Sequence, residues 1–285
     1  MNKITLSIVL FGIFFLSIFF SGCDLWKKSS ENPICFDTLQ IDKTYHINDK
    51  PELPACNVNI NFIYPKSSGL NNVDVVQSFF IEKVLGPTFK NDDSKSAAEK
   101  YVNHYIDNFK LFIENKSNDD SENENIGEKE SESEFSYFVQ LRDSISYNEN
   151  GFISFTVETV SCEGGAHSSR NIDGYAYSLV TNERLTENDF AGDNYSKGLS
   201  NLIAEKIAES YDVKEVKELE NLGFYSIKDI IPNDNFTLNK NGITYYFNKN
   251  EIAGSMVGII EVFISYRELS FFLMEDSPIS PLIPF

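Results

Sequence analysis

A long apolar run, Ile4 to Phe20, opens the chain behind a single charge, Lys3, and ends in Ser21-Gly22-Cys23. A charged start, an apolar stretch and small residues before a cut describe a secretory signal. The fold is therefore expected to be built from residue 23 onward, and to be stable outside the cytoplasm. The run is close to the roughly 20 apolar residues that span a bilayer, so an uncleaved membrane anchor is the competing reading. Either way the body is extracytoplasmic.

The cut would fall just before Cys23. Phe20-Ser21-Gly22-Cys23 resembles the bacterial lipoprotein box, in which the cysteine thiol is acylated with palmitate-type chains and becomes the new amino terminus. Phe20 stands where leucine is usual. Several acyl chains hold a protein firmly, whereas one gives marginal binding, so Cys23 is the expected lipidation site and membrane contact. Cys35, Cys56 and Cys162 then remain, an odd number. An oxidising compartment permits one disulfide and leaves a thiol over. Cys35 and Cys56 flank a short segment and could staple it.

The rest of the chain can bury a core, since 41% of residues are hydrophobic and 14% aromatic. A disordered chain would carry far fewer aromatic and β-branched side chains. The formal net charge of −19 argues against a nucleic-acid partner, because phosphate binding needs clustered Lys and Arg. It suits a basic partner instead.

After a polar, proline-containing tether, Asn57–Tyr64 alternates apolar and polar residues, the period of a half-buried strand. Val73, Val76, Phe79, Phe80, Val84 and Leu85 recur at helical spacing until Gly86-Pro87 stops them. A second helix is predicted from about Ser94 to Glu114. Residues 117–134 hold eight acidic residues against Lys129 alone, and such blocks stay solvated. The spacing lacks the glycine and bidentate glutamate of an EF-hand calcium loop. Strands are predicted over 135–147 and 152–160, joined through Asn150-Gly151, a strong hairpin signal. Further strands come at 175–180, 236–238, 243–247 and 257–264, with a helix over 196–211. Strands in blocks rather than βαβ alternation give an α+β class, with an antiparallel sheet, helices packed on one face and two subdomains.

Gly164-Gly165-Ala166-His167 is the most pointed local feature. Adjacent glycines permit positive φ and a tight turn, from which His167 and the neighbouring Ser168 could project toward a ligand. The plainer reading is a turn whose histidine fixes a strand exit. Cys162 and His167 give two zinc ligands where a structural site needs four and a catalytic one usually three, so no metal is expected. Ser168 and Ser169 lack an oriented base. The nucleophile elbow, the P-loop, the dinucleotide fingerprint and His-Glu-x-x-His are absent. Asp173 and Glu163 could be paired carboxylates, though an acidic chain offers many such pairs. No catalytic residue and no cofactor are assigned. Tyr245-Tyr246-Phe247 and Phe271-Phe272 could form an aromatic surface, but strand core is the plainer reading.

Several residues in order and spacing carry a resemblance: Gly164-Gly165-Ala166-His167, Asn171, Tyr175–Val180, Asn235-Phe236, Gly242-Ile243, Phe247, Glu251-Ile252-Ala253, Gly258 and Ile264–Leu269. Over residues 135–270 they look like the extracytoplasmic domain of RsiV-type anti-sigma factors, which bind lysozyme, a domain that also accompanies PdaC-type peptidoglycan deacetylases. Residues 55–116 resemble its usual smaller partner domain. The division implied is a signal (1–22), a tether with a first strand (23–54), a small α+β domain (55–116), an acidic loop (117–134), an RsiV-like domain (135–270) and a tail (271–285). Only Met1, Asn2 and Lys3 precede the apolar run, so neither a sigma-factor-holding segment nor a deacetylase domain is expected. Relatives commonly place a tyrosine before Glu-Ile-Ala and a proline with an aromatic after it. Here Asn250 precedes the triplet and Gly254-Ser255-Met256 come after it. The resemblance thus implies a ligand- or protein-binding module, with Gly164, Gly165, His167, Ser168, Asn250 and Ser255 as candidate contacts. The implied partner is a basic protein such as lysozyme, or a cell-wall component. The alternative is an envelope enzyme acting on peptidoglycan or another glycan through the Gly164–His167 turn.

Overall fold

The computed structural model describes residues 34–50, 54–66, 73–120, 135–165 and 167–283. The apolar run, Cys23 and most of the acidic stretch lie outside them. Among the described residues, no helix is long and apolar enough to cross a membrane.

Six strands form one sheet in sequence order: β1 (Cys35–His46), β2 (Ala55–Lys66), β3 (Tyr137–Glu149), β4 (Phe152–Glu163), β5 (Ser169–Ser178) and the two-residue β6 (Glu183–Arg184). Three shorter strands, β7 (Phe236–Leu238), β8 (Gly242–Phe247) and β9 (Ile260–Ser265), form a second sheet. Every pairing is antiparallel except β2 with β3. The α+β class therefore holds, with one exception to the antiparallel expectation. Helices α1 (Val73–Val84) and α2 (Ser94–Asp120) carry the chain back between β2 and β3, and such a crossover is what parallel neighbours require. Strand and helix faces obey the predicted periods. Asn150 (φ 53°) and Gly151 (φ 81°) both take the left-handed conformation at the β3–β4 turn, as a two-residue hairpin demands.

The two faces of the long sheet are covered differently. On one, Val58, Ile60 and Phe62 of β2, Val139 and Leu141 of β3, and Phe155 and Val157 of β4 meet Phe80 of α1 and Phe109 of α2. Phe80 stacks on Phe155 with ring centroids 4.0 Å apart. On the other, the short sheet lies across β3–β5 near the β3–β4 hairpin. The Leu238 N–H donates to Ser154 Oγ (2.8 Å), and Ser154 Oγ donates to the Tyr175 carbonyl (2.7 Å). Gly174 is what lets the layers approach, because a Cβ there would sit 2.7 Å from the Phe236 backbone. After the single-turn helix α3 (Glu187–Phe190), helix α4 (Gly192–Ser210) covers the short sheet with Leu199, Ile203 and Ile207. On the long sheet itself, α1 and α2 lie on one face, as expected.

The register rules out the Cys35–Cys56 staple. Cys35 pairs with Lys66 and Cys56 with Tyr45, at opposite ends of the β1–β2 hairpin. Ten strand residues at about 3.3 Å each separate them, far beyond the roughly 7 Å limit between bridged Cα atoms. Cys56 is a free, fully buried thiol whose pKa burial pushes up to about 12. Cys162 is also free, so neither thiol pairs with Cys35.

Candidate functional site

The Gly164–Ser168 segment closes the β4–β5 hairpin. Gly164 (φ 76°) and Gly165 (φ 98°) take the conformation that favours glycine, and Cys162 Sγ lies 3.5 Å from the Gly165 carbonyl. His167 and Ser168 are exposed and make no hydrogen bond or ion pair among the described residues. The turn does not anchor the strand exit through His167. It also gathers no partner that would activate His167 as a base. Glu163 accepts a hydrogen bond from the Tyr105 hydroxyl (3.1 Å), and the charges acting on Asp173 come from Arg184 and Glu251 instead. The Asp173–Glu163 pairing is therefore not formed. No group of three or more His, Cys, Asp or Glu able to hold a metal occurs among the described residues.

The second predicted segment is built quite differently. Asn250 (φ 67°) turns the chain after β8, and its neighbours do structural work. The Asn248 amide group grips the outer edge of β5 as a strand would: its Oδ1 accepts from the Ile172 N–H (2.8 Å) and its Nδ2 donates to the Ile172 carbonyl (3.1 Å). Asn235 accepts from the Gly174 N–H and donates to the Ile172 carbonyl (3.0 Å). Glu251 accepts from the Asn248 N–H (2.8 Å) and from Asn233 Nδ2 (2.6 Å). This clasp satisfies an otherwise bare strand edge and explains why asparagines stand at 235 and 248. Asp173 and Arg184 flank it in a cleft of about 290 Å³. Burial raises the Asp173 pKa against the pull of Arg184.

Beyond the clasp, Glu251-Ile252-Ala253 runs inward, with Ile252 and Ala253 buried, and Gly254-Ser255-Met256 comes back out. Phe224 bridges Ala253, the Tyr225 N–H donates to the Ile252 carbonyl (3.0 Å), and the Gly254 N–H to the Gly223 carbonyl (2.8 Å). These contacts bring loop 222–225 beside loop 254–257. Together they hold large apolar side chains in solvent: Met256 is 98% exposed, Tyr225 50% and Leu222 44%. Ser255 is exposed between them.

The same irregular segment, 216–232, has a second open side. Against α4 it forms a groove of about 620 Å³, floored by Leu199, Ala204, Val216 and Ile230 and edged by Ile231, itself 56% exposed. Glu187 stands at one side. Burial raises its carboxyl to about 7, although the Asp234 N–H donates to it (2.8 Å) and the fully buried Tyr245 faces it.

Of the predicted contacts, then, Ser255 belongs to the apolar rim and Asn250 to the clasp turn that leads into it. Gly164, Gly165, His167 and Ser168 belong to a separate hairpin. No hydrogen bond, ion pair or ring contact joins the two groups among the described residues. Sequence reasoning passed over Leu222, Tyr225 and Ile231. Their one signal is that apolar residues flank Gly223-Phe224 and Pro232 without helix or strand period. Tyr245, Tyr246 and Phe247 are buried and belong to strand core, whereas Phe271 is 77% exposed.

Residues 185–267 match a protein family of unknown function, DUF3298. This interval contains the rim, the groove and most of the clasp. The fold as a whole is that of solved members of the same family. A crystal structure of a DUF3298-family member from Bacteroides fragilis NCTC 9343 superposes with a TM-score of 0.80 at 26% identity, over 90% of this chain and 99% of that one. A second, from Pseudomonas aeruginosa PAO1, gives a TM-score of 0.60 at 12% identity over the same shares. No curated protein matches the chain.

Proposed function

We propose that this chain is a lipid-anchored protein of the bacterial envelope whose body binds a basic extracytoplasmic protein through the rim of loops 222–225 and 254–257. The carrying observation is the rim itself. Leu222, Tyr225 and Met256 stand in water on two loops pinned together by backbone hydrogen bonds, and large exposed apolar side chains gathered on one face mark interaction sites. Tyrosine and methionine are enriched where proteins meet. The charge of −19 would speed encounter with a cationic partner, and the resemblance to lysozyme-binding outer domains makes lysozyme the first partner to try. The lack of any assembled base, nucleophile or metal cluster among the described residues favours binding over chemistry at the Gly164–His167 turn.

Calorimetry of the body, residues 24–285, against lysozyme at physiological salt tests the partner. Binding in the micromolar range is expected, and Tyr225→Ala with Met256→Asp should weaken it at least about tenfold, as for interface anchors. Absence of heat at tens of micromolar ends the lysozyme reading. Mass spectrometry of the native chain tests the anchor independently. An acylated amino-terminal Cys23 is expected; an intact first segment, or Cys23 held in a disulfide with Cys35, overturns it.

A further inference from the structure

The short sheet covers only half of the long sheet's second face. Ser154 and Gly174 lie beneath β7, but toward the β4–β5 hairpin the same face is bare among the described residues. Three cross-strand rows cross it. Gln40, Asn61, Arg142 and Glu158 stand side by side on β1–β4. Asp42, Asn59, Gln140, Val160 and Arg170 form the next row, and Thr44, Asn57, Phe138 and Cys162 the third. Neighbouring strands lie about 4.8 Å apart, so the first four strands alone give a shelf roughly 14 Å across. A cleft of about 450 Å³ opens on it between Gln40, Asp42, Asn59, Asn61 and Arg142.

The composition of this shelf is not explained by folding. Asparagine is depleted in strands, yet β2 places Asn57, Asn59 and Asn61 at every outward position of one stretch. A solvated strand face is ordinarily filled by Thr, Lys or Glu, which cost the strand less. Gln40 donates to Asn61 (3.3 Å) and Thr44 to Asn57 (2.8 Å). Asn59, Gln140 and Arg142 have no side-chain hydrogen-bond partner among the described residues, so their donors and acceptors face solvent. Phe138 lies on the same face, half-buried, and belongs to neither hydrophobic core. The charges balance, Arg142 and Arg170 against Asp42 and Glu158, with Arg170 bonded to Glu158 (2.6 Å). A locally neutral patch on a chain at −19 disfavours both a strongly basic and a strongly acidic ligand.

We infer that this shelf is a second binding site, separate from the apolar rim, for an uncharged glycan chain. Amides, a guanidinium and a carboxylate pointing outward from a rigid sheet match alternating hydroxyl donors and acceptors. The Phe138 ring offers the apolar face of a sugar somewhere to lie. The inference also gives the Gly164–His167 hairpin a place. It continues β4 and β5 beyond Cys162 and Ser169, so His167 and Ser168 stand at the shelf's end, where an extended glycan would pass.

The whole chain is titrated with chitotetraose, a neutral oligosaccharide, and separately co-sedimented with peptidoglycan sacculi. Saturable binding to at least one probe is expected. Asn59→Ala with Arg142→Ala should lower the affinity at least about tenfold, the loss expected for hydrogen bonds of which one is charged, with the melting temperature unchanged. Phe138→Ala should weaken binding further, and Met256→Asp should leave it untouched. No binding to either probe overturns the inference, as does binding that survives the double substitution. A self-association that the double substitution abolishes also overturns it, because the shelf would then be a contact between copies of this chain. Loss of glycan binding with lysozyme binding retained, and the reverse, separate this site from the rim.

Discussion

The two faces of the long sheet were folded under different rules. On the helical face, long strands meet two regular helices, and large rings fill the space: Phe62, Phe80, Phe109 and Phe155 are fully buried. Those rings pack out of reach of water. On the opposite face the cover is a three-stranded sheet of short strands backed by α4, with single-turn helices and irregular loops before β7 and after β9. Its interior is equally dry, with Phe236, Tyr245 and Phe247 fully buried, but its margins are unfinished. The apolar rim and the groove beside α4 open at those margins, and the polar shelf lies where the cover stops. The regular half supplies rigidity, and the irregular half supplies surface. That division is the usual one between scaffold and function.

The sharpest way to break the arrangement is to push its layers apart. Gly174→Ala places a methyl 2.7 Å from the Phe236 backbone, closer than any relaxed contact allows. We expect a loss of about 2–3 kcal/mol, the upper range for overpacking, read from the denaturation midpoint. Phe80→Ala on the helical face should cost about 3–5 kcal/mol, as a fully buried ring does. The informative difference is in binding. Gly174→Ala shifts the short sheet, and the clasp holds Ile172 and Gly174 from that sheet, so rim binding should fall beyond what stability explains. In Phe80→Ala, binding by the remaining folded protein should be normal. Equal effects on binding would mean the two halves are not separable.

Each half also holds a carboxyl whose pKa is raised to about 7. Asp143, 3% exposed, accepts the Ile63 N–H (2.7 Å) with one oxygen, the other having no partner, and burial raises its pKa from 3.8 to about 7. Glu187 is raised from 4.5 to about 7 for the same first reason. A carboxyl raised in the folded state binds more protons there than in the unfolded chain. Its contribution is therefore full below about pH 4 and lost as pH climbs through about 7. Both groups push stability down over that window, each by at most roughly 3–4 kcal/mol. Asp143→Asn and Glu187→Gln should each flatten the fall in melting temperature between pH 4.5 and 7.5. Glu187→Gln should do so while disturbing the groove, and Asp143→Asn without touching it. A pH profile unchanged by either substitution would show that both carboxyls are ionised in the folded state.

Legibility in the sequence divides along the same line. The helical half was legible because its signals are periodic: NVNINFIY alternates, and Val76, Phe80 and Val84 recur at helical spacing. The Asn150-Gly151 turn was legible because its chemistry is local. The parallel β2–β3 pairing was not, since nothing in either strand states which neighbour it will choose. The stretch from Val216 to Pro232 was opaque for a related reason. Its residues are buried one at a time, Leu219, Phe224 and Ile230, without the repeat that marks an element. The Cys35–Cys56 proposal failed because sequence separation says nothing about register. Asn248 and Asn235 were visible as residues, but their role depends on a strand edge more than sixty positions away.

The smallest expected effect concerns the turn that ties rim to sheet. Asn250 holds φ at 67°, between Asn248, whose carbonyl accepts the Glu251 N–H (3.1 Å), and Glu251, whose carboxylate accepts the Asn248 N–H. Asparagine tolerates that conformation and glycine adopts it freely, while a β-branched residue does not. Asn250→Gly should therefore change stability by no more than about 0.5 kcal/mol, and Asn250→Val should cost about 1–2 kcal/mol. If residue 250 were itself a partner contact, both substitutions would weaken binding alike. If it serves only to aim the turn, Asn250→Gly should bind as the parent does, and Asn250→Val should bind less tightly in proportion to its strain. The order of the two affinities decides between a side chain that touches the partner and one that only sets the loop.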